Sequence, residues 1–224
     1  MEAEPSSPRK ILVTDFDGTM TRRDFYQLVL ERVPPGTPDF WRQYLDGELT
    51  HFEAINAVFA AYRPGEATLI SLTRRMEIDP GLHEAITGLR TAGWEVVVAS
   101  AGCAWYIERL LRESQVSIEI YANPGVVQAG RLLMTLPRGS PFFAMETGIN
   151  KRGVIQKALA THSIVAFAGD GPPDLEPALL INENLRFATG YLAGELTRRG
   201  EPFRPFERWS EVARALISES EVTS

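Results

Sequence analysis

Two acidic residues at a strand end, Asp15 and Asp17, are spaced for paired chemistry. The run is Asp15-Phe16-Asp17-Gly18-Thr19-Met20-Thr21, and Gly18 permits the chain to turn there. One carboxylate can attack an electrophile while the other manages the proton of the leaving group. A second acidic pair stands in Gly169-Asp170-Gly171-Pro172-Pro173-Asp174. Its carboxylates are hard oxygen ligands of the kind that suit Mg²⁺. Ser100-Ala101-Gly102 offers a hydroxyl and backbone N–H groups to an anion, and Lys151 can reach a phosphate oxygen. Each motif has a plain alternative: an Asx turn, a Gly/Pro loop, a strand end of small residues, a solvated lysine. Together, in this order, the four compose one site.

Such a site needs elements that bring four distant segments together. Lys10 to Thr14 is an apolar, β-branched run that stops at Asp15. Trp94 to Ala99 stops at Ser100, and Ile164 to Ala168 stops at Gly169-Asp170. Leu185 to Ala188 is a fourth candidate. Unbroken apolar strands are buried on both faces, as in a parallel sheet covered by helices. Helical spacing lies between them: Leu82, Ala85, Ile86 and Leu89 before Gly93; Ala104, Ile107, Leu110 and Leu111; Val154, Ile155, Ala158 and Leu159. Alternating strand and helix predict a doubly wound α/β sheet, whose ligands sit at the carboxyl ends of the strands. Asp15, Ser100 and Asp170 stand at three such ends.

Residues 22–79 break the alternation and read as consecutive helices. Asp46-Gly47 and Pro64-Gly65 punctuate them, and Thr50 with Glu53 forms a capping box. Inserted straight after the first strand, this block would cover the site as a cap. Residues 118–145 read as strand and loop. The core is then expected over 9–21 and 80–217, with residues 1–8 and 218–224 disordered. His51, His83 and His162 share no ligand spacing and read as surface or capping residues. Most aromatics of the inserted block, from Phe25 to Tyr62, are expected in its own core, with one or two lining a pocket.

The bulk numbers bound the partners. The chain has 224 residues and a formal net charge of −6, so nucleic acid and anionic membranes are poor partners. A phosphorylated ligand would need local positive charge, from a metal or from Lys151. The single cysteine, Cys103, excludes an internal disulfide and a thiolate zinc cluster. With a polar N-terminus and no long apolar run, the chain reads as cytoplasmic.

The four motifs taken together resemble those of the haloacid dehalogenase superfamily, and the helical insert resembles the cap of its phosphoserine phosphatase-like branch. The resemblance covers nearly the whole chain and implies a Rossmann-like core. It implies Asp15 as nucleophile and Asp17 as general acid and base. Mg²⁺ would be held by Asp15, the Asp17 carbonyl and Asp170, with Asp174 behind them. Ser100, Ala101, Gly102, Lys151, Gly18 and Thr19 would bind phosphate. The dehalogenases lack an acid where Asp17 stands and the ion-pumping ATPases carry Thr, so Asp17 implies turnover to free phosphate. Asp24, Ala188-Thr189-Gly190-Tyr191-Leu192 and Pro202 to Glu207 resemble the phosphatases of methionine salvage. Glu146 to Asn150 departs from the cysteine-rich stretch of those relatives. Asp24 is the expected cap-side substrate contact. A phosphoserine or broader small-metabolite phosphatase, or an idle relative that only binds phosphorylated metabolites, remains the alternative. Oligomeric state is not readable.

Overall fold

The computed structural model describes residues 8–222, with side chains through residue 219. Strand β1 (Lys10–Thr14) leads into four consecutive helices: α1 (Phe25–Leu30), α2 (Phe40–Leu45), α3 (His51–Ala61) and α4 (Glu66–Arg74). The chain then returns through α5 (Leu82–Thr91), β2 (Trp94–Cys103), α6 (Ala104–Glu113) and β3 (Glu119–Asn123). Two small antiparallel pairs follow, β4 (Gly125–Gln128) with β5 (Arg131–Met134) and β6 (Phe143–Ala144) with β7 (Gly148–Ile149). The last part comprises α7 (Lys151–Thr161), β8 (Ile164–Gly169), α8 (Leu175–Leu179), β9 (Arg186–Ala188), α9 (Gly190–Arg199), β10 (Arg204–Pro205) and α10 (Trp209–Val222).

Six strands form a parallel sheet in the order β10-β9-β8-β1-β2-β3. The chain winds outward from β1 through β2 to β3, then crosses back to β8 and winds the other way. The reversal falls between β1 and β8, where neighbouring loops part and leave a crevice. The side chains sort by pleat. Leu12, Val96, Val98, Ala166 and Ala168 face one core, while Ile11, Val13, Val97, Val165 and Phe167 face the other. The doubly wound α/β sheet is thus as the alternation predicts. The first core continues into the inserted helices, for Phe25, Leu28, Phe59 and Leu69 pack in one cluster with Tyr106, Ile107 and Leu132.

Local signals account for the ends of the inserted helices. Thr50 Oγ1 accepts from Glu53 N–H, and Glu53 Oε2 accepts from Thr50 N–H, closing the capping box of α3. Asp24 caps α1 and Asp39 caps α2 with their carboxylates. Hydrogen bonds tie the block to the later loops: Phe52 N–H donates to the Glu146 carbonyl and Gly65 N–H to the Gly130 carbonyl.

Two sequence expectations need correction. The segment from 218 was expected as a loose tail, but α10 runs to Val222. Trp209, Val212, Ala213 and Leu216 recur at helical spacing and are fully buried, so the helix docks, and Glu219 in its last turns pairs with Arg204. Residues 1–7, 223 and 224 lie outside the described residues. The fourth strand begins at Arg186, because Leu185 closes a short 3₁₀ turn (Glu183–Leu185). Among the described residues, no helix is long and apolar enough to cross a membrane.

Candidate active site

Asp15 follows β1 directly, and its N–H donates to the Ala168 carbonyl at 2.9 Å, so the ladder to β8 extends one residue into the site. Beneath it, Trp209 Nε1 donates to Thr14 Oγ1 at 2.9 Å, and that hydroxyl donates to the Asp15 carbonyl at 2.8 Å. The backbone turns at once. The N–H groups of Thr19, Met20 and Thr21 all point at the Phe16 carbonyl, and Gly18 takes φ +72°. A side chain at Gly18 would collide with Asp170 Oδ2, so glycine both makes the turn and lets the two acidic loops close.

Lys151 opens α7, whose first turn is capped by the Asn150 side chain. Its Nζ lies 2.9 Å from Asp15 Oδ1 and 2.6 Å from Asp174 Oδ1, with only 3% of the side chain exposed. Burial works against the ammonium, but the two carboxylates outweigh it and hold its pKa above the ordinary lysine value. Asp174 is fully buried. Its second oxygen accepts from the N–H groups of Asp170 (3.1 Å) and Gly171 (2.9 Å). It therefore anchors both the lysine and the loop that carries Asp170.

The acids are crowded. Burial and then Asp174 raise the pKa of Asp15 to about 7, against the pull of Lys151. Burial raises Asp170 well above the usual carboxylate range, with Asp15 and Asp174 adding to it. Burial also raises Asp17, with Asp24 next. Asp17 is held on both sides: Phe25 N–H donates to Oδ1 at 3.0 Å, and the Tyr106 hydroxyl donates to Oδ2 at 2.8 Å.

Oxygens of Asp15, Asp170 and Asp174 lie within 4.8 Å of one another. Those of Asp174 are engaged by Lys151 and the loop, which leaves Asp15 and Asp170 as the members of the trio that line the cavity. An all-oxygen donor set in a buried, over-negative pocket suits a hard divalent cation such as Mg²⁺.

One cavity of about 670 Å³ gathers most of the expected residues: Asp15, Asp17, Asp24, Ser100, Ala101, Gly102, Lys151 and Asp170. Ser100 Oγ accepts from Gly102 N–H at 2.9 Å, so that donor is used within its own turn. Gly18 and Thr19 do not line this cavity; they face a separate depression beside Asp79 and Trp209. The Gly18 N–H meets Thr21 Oγ1, and the Thr19 hydroxyl donates to Asp170 Oδ1 at 2.7 Å. In this arrangement Thr19 supports Asp170 directly, and Gly18 leaves room for its carboxylate. Asp24 lines the cavity while its carboxylate accepts from Tyr26 N–H at 2.6 Å as the cap of α1.

Several lining residues were not expected. His51 was read as a surface or capping residue, yet it is only 6% exposed and lines the cavity. Thr50 takes the capping role and turns the next side chain inward. Tyr26, Trp41 and Phe59 are the aromatics of the inserted block that line the cavity. Tyr106 stands among the apolar positions of α6, and its hydroxyl in the first turn of that helix is the available signal.

A sequence model described as haloacid dehalogenase-like hydrolase matches residues 12–178. A 2-hydroxy-3-keto-5-methylthiopentenyl-1-phosphate phosphatase of Bacillus cereus is 24% identical over 206 residues, covering 90% of this chain and 93% of the relative. The phosphoserine phosphatase of T. onnurineus superposes with a TM-score of 0.61 at 18% identity, covering 98% of both chains. A structure titled as the phospho-aspartyl intermediate analogue of phosphoserine phosphatase superposes with a TM-score of 0.62 at 16% identity, covering 90% of this chain and 95% of that one. With its fold shared by those structures and its family match spanning the acidic loops of β1 and β8, the chain belongs to the haloacid dehalogenase-like hydrolase family.

Proposed function

We propose that this protein is a Mg²⁺-dependent phosphatase that hydrolyses a small phosphomonoester through an aspartyl-phosphate intermediate on Asp15. The observation that carries the reading is the placement of Asp15, ion-paired with Lys151, on a cavity shared with Asp17, Ser100 and Asp170. The core over 9–21 and 80–217 supplies this machinery, and the block 22–79 acts as a cap above it.

Phosphomonoester hydrolysis is so slow uncatalysed that accelerations approach ~10²¹, and most of that comes from positioning and charge stabilisation. Asp15 attacks phosphorus in line, forming the acyl-phosphate bond as the ester P–O bond breaks. Asp17 gives its proton to the departing alkoxide. Burial and the neighbouring Asp24 favour its protonated form beforehand, as a general acid requires. Asp17 then takes a proton from the water that hydrolyses the acyl phosphate, and free phosphate leaves. The Tyr106 hydroxyl and the Phe25 N–H hold the Asp17 carboxyl in place throughout. Lys151 and Ser100 hold the phosphoryl oxygens. Asp15, the Asp17 carbonyl and Asp170 would hold Mg²⁺, which when bound offsets phosphoryl charge and favours the ionised form of Asp15.

The curated relative's substrate is a candidate here, since its name denotes an uncharged leaving group with hydroxyl, keto and methylthio functions. A panel of small phosphomonoesters that includes it, assayed for phosphate release with and without Mg²⁺, tests the reading. Release that requires Mg²⁺ and vanishes in Asp15→Asn is expected. No release from any ester by folded protein would favour a binding role instead.

A further inference from the structure

The cap side of the cavity holds two polar atoms that the catalytic scheme leaves unused. Tyr26 Oη and His51 Nδ1 are buried and have no hydrogen-bond partner among the described residues. Both side chains line the cavity that also contains Asp15 and Lys151. A buried polar group without a partner is destabilising because it has lost water and gained nothing in exchange, so two in one cavity wall call for a ligand. Resting on the phosphatase reading, we infer that Tyr26 and His51 form the specificity subsite, hydrogen-bonding hydroxyl or carbonyl oxygens of an uncharged leaving group.

Their chemistry fits that class. Burial, with Asp24 and Asp39 nearby, pushes the Tyr26 phenol up to about 12, so it remains a donor. Burial, then Lys151, pushes His51 down to about 4, so its ring stays neutral and presents one donor and one acceptor. The rings are held firmly: Trp41 lies 5.6 Å from Tyr26 and 5.8 Å from His51, and Tyr44 lies 5.5 Å from His51. A carboxylate-bearing leaving group has no cation to meet, because Lys151 is the cationic side chain among the described lining residues and is committed to Asp15 and Asp174. Asp24 and Asp39 on the same wall would repel it. An ammonium group finds those two carboxylates already serving as helix caps. At the mouth, Leu30 and Tyr191 are 44% and 56% exposed, an apolar rim for the far end of the leaving group.

Three-carbon esters isolate the claim: dihydroxyacetone phosphate, n-propyl phosphate and phosphoserine, assayed on the full chain with Mg²⁺. The wild type is expected to favour dihydroxyacetone phosphate over propyl phosphate by tenfold or more in kcat/KM, with phosphoserine weakest. Tyr26→Phe and His51→Phe keep the ring packing and should each shrink that preference roughly 5- to 10-fold, chiefly through KM. His51→Asn, whose amide takes the place of Nδ1, should restore part of it. An equal loss on both neutral esters in folded variants would make the pair merely structural and overturn the inference, as would a preference for phosphoserine. Absence of turnover on every ester would overturn the phosphatase reading and the subsite with it. Turnover without discrimination would overturn the subsite alone.

Discussion

Replacing Asp174 by Ala removes the anchor common to two parts of the site. Three contacts are lost: Lys151 Nζ at 2.6 Å, Asp170 N–H at 3.1 Å and Gly171 N–H at 2.9 Å. Hydrogen bonds to a charged group contribute about 1.5–3 kcal/mol each, but three on one carboxylate are not additive. Breaking a buried ion pair from one side costs about 3–5 kcal/mol. Lys151 keeps Asp15 as a partner, so the lower half of that range is expected. Against a total stability of about 5–15 kcal/mol the variant should still fold. Urea denaturation followed by tryptophan fluorescence should show a midpoint about 1 M lower at an unchanged slope, taking the slope as about 3 kcal/mol/M. Phosphate release should fall at least 100-fold, since the loop bearing Asp170 and the lysine both lose their reference point. Asp174→Asn, which keeps an acceptor for one partner, should lie between the two. A stability loss under about 1 kcal/mol, or activity within threefold of wild type, would refute the claim that Asp174 organises the site.

Two further predictions concern residues around the acids. Gly18→Ala places a side chain at φ +72° against Asp170 Oδ2, so it should cost about 1–2 kcal/mol in backbone strain and raise the Mg²⁺ concentration for half-maximal phosphate release by tenfold or more. Isothermal denaturation and a Mg²⁺ titration check it. His51 has a folded-state pKa depressed from 6.5 to about 4, so between those values the unfolded chain binds the extra proton and stability falls as pH falls. The loss reaches at most about 3 kcal/mol near pH 4, and stability is fully retained above about pH 6.5. The difference between wild type and His51→Phe, measured by urea midpoints from pH 7.5 to 4, should show that slope.

The sequence was most informative where one residue type does one job. Apolar strands running into Asp15, Ser100 and Asp170 marked the carboxyl edge of the sheet, because a parallel strand buried on both faces cannot alternate in polarity. Strand β2 does not stop at Ser100 as expected but continues through an irregularity to Cys103. Thr50 and Glu53 named the start of α3 because the capping box is a local contact. What stayed hidden depends on contacts distant in sequence. The side chain of His51 lines the cavity with Trp41 and Tyr44 packed against its ring, and no spacing within α3 shows those contacts. The Tyr106 hydroxyl meets Asp17 only once α6 docks beside the loop after β1. Gly18 and Thr19 carry N–H groups that suit a phosphate, yet the turn directs them to Thr21 and Phe16. The last helix carries Trp209, Val212, Ala213 and Leu216 at helical spacing, while the polar residues after 217 carry no such apolar pattern although the helix runs on to Val222.

Covalent chemistry on Asp15 is the central claim, and trapping the phosphorylated enzyme tests it most directly. Wild-type protein mixed with Mg²⁺ and an ester carrying radiolabelled phosphate is quenched in acid within milliseconds, digested and mapped. The account predicts label on the peptide containing Asp15, released by hydroxylamine as an acyl phosphate must be, and absent from Asp15→Asn. Steady release of phosphate with no label on the protein, or near-normal turnover by Asp15→Asn, would contradict it.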